Sequence, residues 1–175
     1  MRRVDSAAPR YFALHKPYMT LCSCCEDGKK QRDTLSSLGL PDGVINVGRL
    51  DRDSEGLLLL TDDGLFCNTV LQGEEHITKR YWCLVAGLPT DEAIEEMSRG
   101  GLSIRGRITK PCSVRRLDWQ HTEATLISCR MSSPPHASTR TASDSTWLEV
   151  LLQEGMNRQV STDGFAKHLL RSALL

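Results

Sequence analysis

The stretch VGRLDRDSEGLLLL, residues 47–60, sets three acids and two arginines directly before four leucines. Asp51, between Leu50 and Arg52, is its chemically most interesting member. A carboxylate beside an apolar strand can act as a nucleophile or proton acceptor only while it is ionised. Holding an ionised carboxylate out of water is costly unless a cation faces it. The competing reading is an aspartate that merely caps a turn, and residue type and spacing alone favour it. Arg52, Asp53, Ser54 and Glu55 form either a solvated loop or the support that keeps the Asp51 loop in place.

Other reactive residue types give weaker patterns. The seven cysteines, Cys22, Cys24, Cys25, Cys67, Cys83, Cys112 and Cys129, are odd in number, and several fall in strand-like segments. No secretion signal precedes them, so they read as reduced thiols. The CSCC run has no second Cys or His pair at zinc-site spacing, so no metal is expected. His15, His76, His121, His136 and His168 have no acid or thiol at suggestive spacing and receive no role.

The elements that must position Asp51 follow from periodicity. RYFALHK reads as a strand stopped by Pro17, with a short helical turn near Leu35–Leu38. GVINVGRL and GLLLLTDDG read as strands on either side of the acidic loop, the second ending in an Asp-Gly turn, and GLFCNTVLQ as a short helix. TKRYWCLVAG alternates as a strand. LPTDEAIEEMSRGG is a helix capped by Thr90 or Asp91 and stopped by Gly100. GLSIRGRITKPCSVRRLDWQ, TEATLISCRM and TWLEVLLQEG supply further strands, with SSPPHASTRTASDS as a loop. Many strands with scattered short helices predict an α+β fold on a mixed, mostly antiparallel sheet.

The 175 residues suit one domain, read as a flexible tail over 1–9 and a domain over 10–175. No apolar run approaches the roughly 18 residues of a membrane span, so no membrane partner is expected. Basic and acidic residues balance at 22 each. An RNA partner would therefore require the cations to gather on one face.

Four segments, in order, resemble one known family. GRLDRDSEGLLLLTDDG resembles the catalytic segment of the RNA pseudouridine synthases of the RsuA type. HKPYMTLCS resembles the family's opening strand and Lys-Pro loop, and TKRYWCLVAGLPT its Lys-x-Tyr strand. LEVLLQEGMNRQV resembles its late Asn-Arg-Gln segment. The small RNA-anchoring domain of many members has no counterpart ahead of residue 10, which resembles the compact large-subunit synthase E branch.

The resemblance implies isomerisation of an unpaired uridine in large-subunit rRNA, with no cofactor, by a cytoplasmic or organellar monomer. It implies that Asp51 acts at the ribose, that Tyr81 stacks on the detached uracil, and that the cation facing Asp51 is a late Arg or Lys near NRQV, either Arg158 or the basic residue expected just after Val160, where Ser161 stands. It assigns Arg49 to the gap left by the extruded nucleotide, with Arg52, Lys16, Lys79 and Arg80 as RNA contacts. Arg105, Arg107, Arg115 and Arg116 are further phosphate candidates.

After Val160 the chain departs from the family pattern. A basic residue, a helix and a Gly-Phe-Pro turn are expected there, whereas STDGFAKHLLRSALL follows. That departure leaves a second reading open, an RNA-binding protein of the same fold with impaired catalysis. A third is a truncated product with no function.

Overall fold

The computed structural model describes residues 8–24, 33–72, 77–118, 120, 145–156 and 159–160. Its contacts gather into two units, Met1–His76 and Ile77–Leu175, with the boundary inside the stretch read from sequence as one domain.

In the first unit, β1 (Tyr11–Lys16), β2 (Ile45–Val47) and β3 (Gly56–Thr61) form an antiparallel sheet with β3 in the middle. Successive strand side chains point to opposite faces, so the four leucines separate. Leu58 and Leu60 are buried while Leu57 is 68% exposed. With Leu35 and Val44 they make the core, joined by half-buried Leu14, Cys22 and Leu40. Leu35 opens a single 3-10 turn, Leu35–Leu38, at the expected place.

The Asp63-Gly64 pair, expected as a turn, instead begins α1 (Gly64–Gln72). Asp63 Oδ1 accepts from the backbone N–H groups of Leu65 and Phe66 at 2.9 and 3.0 Å, which satisfies two donors of the first helical turn. Its other oxygen accepts from the Tyr11 hydroxyl at 2.7 Å, and the Tyr11 ring meets Phe66 edge-on. The helix thereby locks onto the start of β1.

In the second unit, β4 (Lys79–Ala86), β7 (Ser113–Arg116) and β8 (Ser145–Leu152) form an antiparallel sheet with β8 central. Ahead of β7, β5 (Ser103–Ile104) and β6 (Arg107–Ile108) make a small hairpin. Helix α2 (Asp91–Arg99) starts where Thr90 Oγ1 accepts from Ala93 N at 3.2 Å. It ends at Gly100, where φ is 74° and a Cβ would fall 2.6 Å from the Lys110 carbonyl carbon. Ala93 and Met97 of α2 bury against Val85, Val114, Leu148, Val150 and Leu152. TEATLISCRM, all of SSPPHASTRTASDS except Ser145, and residues 161–175 lie outside the described residues.

The fold is α+β as expected. All its ladders among the described residues are antiparallel, and the isolated Leu21–Thr34 bridge is parallel. No helix among them is long and apolar enough to cross a membrane.

The face of the second sheet opposite its core is organised by one acid. Glu149 on β8 is 3% exposed and directly faces Trp82 on β4 and Arg115 on β7. Arg115 Nε donates to it at 2.7 Å and the Trp82 indole N–H at 3.2 Å, while Arg80 Nε stands 3.5 Å away. The Arg115 hydrogen bond holds the Glu149 pKa below the ordinary 4.5, against the opposing effect of burial, and Trp82 and Arg80 assist. A carboxyl depressed in the folded state stabilises above its unfolded value and loses that contribution as pH falls through the folded one. Unfolding of Glu149→Gln followed by calorimetry should therefore show two effects. Stability at neutral pH should drop by about 1–3 kcal/mol. The loss of stability on acidification below 4.5 should be shallower than in the unchanged protein.

Candidate active site

The loop carrying Asp51 is bracketed by two glycines in backbone conformations that side chains disfavour, Gly48 with φ 73° and Gly56 with φ 122°. Between them Asp51–Ser54 forms a turn, closed by the Ser54 N–H donating to the Asp51 carbonyl at 3.1 Å. Asp51 is half-buried and Arg49 is exposed.

What holds this loop is a buried cation. Lys16, the last residue of β1, is 0% exposed. Its ammonium donates to the carbonyls of Thr20 at 2.8 Å, Pro17 at 2.9 Å and Arg52 at 3.4 Å. Three donors thus meet three acceptors, the condition under which a buried ammonium is tolerated. Burial lowers the Lys16 pKa from the ordinary lysine value, opposed by Cys22 and by the carboxylates of Asp53, Glu55 and Asp51. The half-buried Arg52 side chain returns the link, its Nε donating to the Met19 carbonyl at 3.2 Å. Met19 itself has φ 62°, a left-handed conformation that costs a non-glycine residue roughly 1–2 kcal/mol. The Lys-Pro loop and the Asp51 loop are therefore one hydrogen-bonded unit.

Lys16 corrects an expectation. Read as a phosphate contact, it lies instead in the interior with its donors engaged by backbone carbonyls. The Arg52 carbonyl and side chain both tie the Asp51 loop to residues 16–19. Among the described residues of the first unit, no cationic side chain reaches salt-bridge distance of the Asp51 carboxylate. Arg158, a candidate for its partner, lies outside the described residues.

Lys79, Arg80 and Tyr81 belong to the second unit, at the start of β4. Lys79 is half-buried and Arg80 is exposed on the Glu149 face. Tyr81 lies on the opposite face, half-buried against the core. Arg115 also sits on Glu149, and Arg116 pairs with Asp91 and the Pro89 carbonyl. Sequence reasoning gave no role to Glu149 or Cys22. Period-two alternation with Leu14 was the available signal that Lys16 points inward.

The two described thiols of the second unit, Cys83 and Cys112, are not poised for chemistry. Burial pushes Cys83 up to about 12, and burial with the nearby Glu154 carboxylate pushes Cys112 up to about 11, so both stay protonated near neutrality.

This architecture is shared. A solved structure described as a crystal structure of pseudouridylate synthase matches 87% of the chain, and 54% of its own, with a TM-score of 0.60 at 24% identity, a likeness of fold. The model of the RNA pseudouridylate synthase family matches residues 10–161, and the chain belongs to that family of uridine-isomerising enzymes. It is 38% identical over 147 residues to ribosomal large subunit pseudouridine synthase E of Xanthomonas axonopodis pv. citri, covering 84% of this chain and 73% of that protein. It is 33% identical to the synthase E of Vibrio parahaemolyticus, over 90% of this chain and 62% of that one. With synthase B of Bacillus subtilis it shares 29% identity, over 90% and 56%.

The buried lysine gives a direct expectation. Lys16→Met keeps the aliphatic volume and leaves three carbonyls without their donor, so urea unfolding should show a loss of about 1–3 kcal/mol. The salt dependence of RNA binding should be unchanged, because a buried ammonium releases no counterions.

Proposed function

We propose that the protein converts a specific unpaired uridine of large-subunit rRNA to pseudouridine, with Asp51 as the catalytic carboxylate. The observation that carries this reading is the Asp51 loop itself. A half-buried acid sits in a family-matching segment, on a turn locked to the neighbouring loop by a buried lysine. The relatives named synthase E point to the large-subunit substrate.

The reaction breaks the N1–C1′ glycosidic bond, turns the uracil and joins its C5 to C1′. The C5 proton leaves and N1 gains one, so there is no net oxidation and no need for a redox cofactor. Asp51 serves at the ribose, by attack on C1′ or by removing a ribose proton, and in either role it must be ionised. Arg158 is the proposed cation facing it. Tyr81 stacks on the detached uracil and takes part in removal of the C5 proton. Lys16 touches no RNA in this scheme and works as a positioning residue, fixing the turn from beneath.

Arg49 fills the space left by the extruded nucleotide, and Arg52, Lys79 and Arg80 contact the RNA backbone. Extrusion costs a few kcal/mol from a duplex and less from a loop, which favours unpaired targets. The protein works as a monomer in the cytoplasm, with an organelle as the alternative.

Pseudouridine mapping on large-subunit rRNA incubated with the protein tests this. A new pseudouridine should appear at one unpaired site. Asp51→Asn should slow its formation at least roughly a hundredfold, with RNA still bound. Mapping that shows no pseudouridine with the unchanged protein, or the same amount with Asp51→Asn, would reject the enzymatic reading.

A further inference from the structure

The following inference rests on the reaction proposed above and concerns a residue to which that reaction gives no part. Cys22 lies in the loop after β1, half-buried at the edge of the first unit's core. Its sulfur accepts a hydrogen bond from the Leu50 backbone N–H at 3.2 Å and donates one to the Leu50 carbonyl at 3.3 Å. One side chain therefore satisfies both polar backbone groups of the residue immediately before Asp51. The residue immediately after Asp51 is held in turn, its carbonyl accepting from the Lys16 ammonium at 3.4 Å. Asp51 hangs between two fixed points, both supplied by residues 16–22.

The geometry has a physical consequence. Backbone groups out of water must find partners. At Leu50 the partner is a thiol, not a strand ladder. The Leu50 peptide can swing only if the Cys22 contacts break, and Asp51 would swing with it. A displacement of about 1 Å at a reacting group is enough to cost roughly a hundredfold in rate. We propose that Cys22 is a positioning residue of the active site, setting where the Asp51 carboxylate stands without meeting RNA.

Chemistry tells which variants discriminate. A serine hydroxyl offers the same donor and acceptors as the thiol, on a shorter bond, whereas alanine offers neither. Amide exchange of Leu50, followed by NMR on the protein alone, reads the hold directly. Single-turnover pseudouridine formation at saturating RNA reads its effect. In Cys22→Ala, Leu50 exchange should quicken and the single-turnover rate should fall roughly tenfold to a hundredfold. RNA affinity should stay near that of the unchanged protein, because the thiol makes no RNA contact. Cys22→Ser should restore both the exchange protection and most of the rate.

A Cys22→Ala protein that reacts at the original rate would overturn the inference. So would equal impairment by Ala and Ser, or a loss seen only in RNA affinity. If the unchanged protein makes no pseudouridine while Leu50 exchange still responds to Cys22, the reaction itself is refuted. The hold then stands as a structural feature, and its catalytic meaning is overturned.

Discussion

A single ammonium at the end of β1 ties the site together. Lys16 is fully enclosed, and each of its three donors reaches a carbonyl, two in its own following loop and one in the Asp51 turn. In water those carbonyls would be solvated equally well. Inside the protein no replacement is at hand, and leaving them bare costs more than the bonds themselves contribute. The asymmetry favours loop conformations in which the lysine is satisfied. Cys22 adds a second tie at Leu50, and Met19 accepts a left-handed backbone so that its carbonyl can receive Arg52.

The second unit uses the inverse device. There the enclosed group is an acid, Glu149, and the cations that satisfy it, Arg80 and Arg115, remain largely exposed. Both units therefore place one enclosed charge beside a sheet and satisfy it with short contacts. The difference lies in the partners. Carbonyls bound to Lys16 leave its charge uncancelled near Asp51, Asp53 and Glu55, whereas the guanidinium groups around Glu149 neutralise it. The proposed reaction has use for both, a fixed interior around Asp51 and arginines at the surface.

Much of this was readable from residue order. Strand limits near Arg10–Lys16 and Lys79–Ala86 follow from alternation and Pro17, and the Thr90 cap and Gly100 stop of α2 follow from local chemistry. Inward alternation from Leu14 also implied that Lys16 is interior, but a charged residue beside a proline loop reads as surface by default. Asp63-Gly64 misled because an Asp-Gly pair serves a turn and a helix cap equally well. The Glu149 cluster was not legible, since cross-strand partners depend on register between segments over thirty residues apart. The Cys22–Leu50 contact was hidden for the same reason, as its two residues are 28 positions apart.

In the proposed reaction, the placement of the Asp51 carboxylate depends on an interior lysine that never meets the substrate. The most direct measurement is the single-turnover rate of Lys16→Met at saturating rRNA, taken beside its RNA dissociation constant. The rate of pseudouridine formation should fall by roughly a hundredfold, with the dissociation constant close to that of the unchanged protein. An unaltered rate, or weakened RNA binding with the rate preserved once RNA is saturating, would contradict the claim.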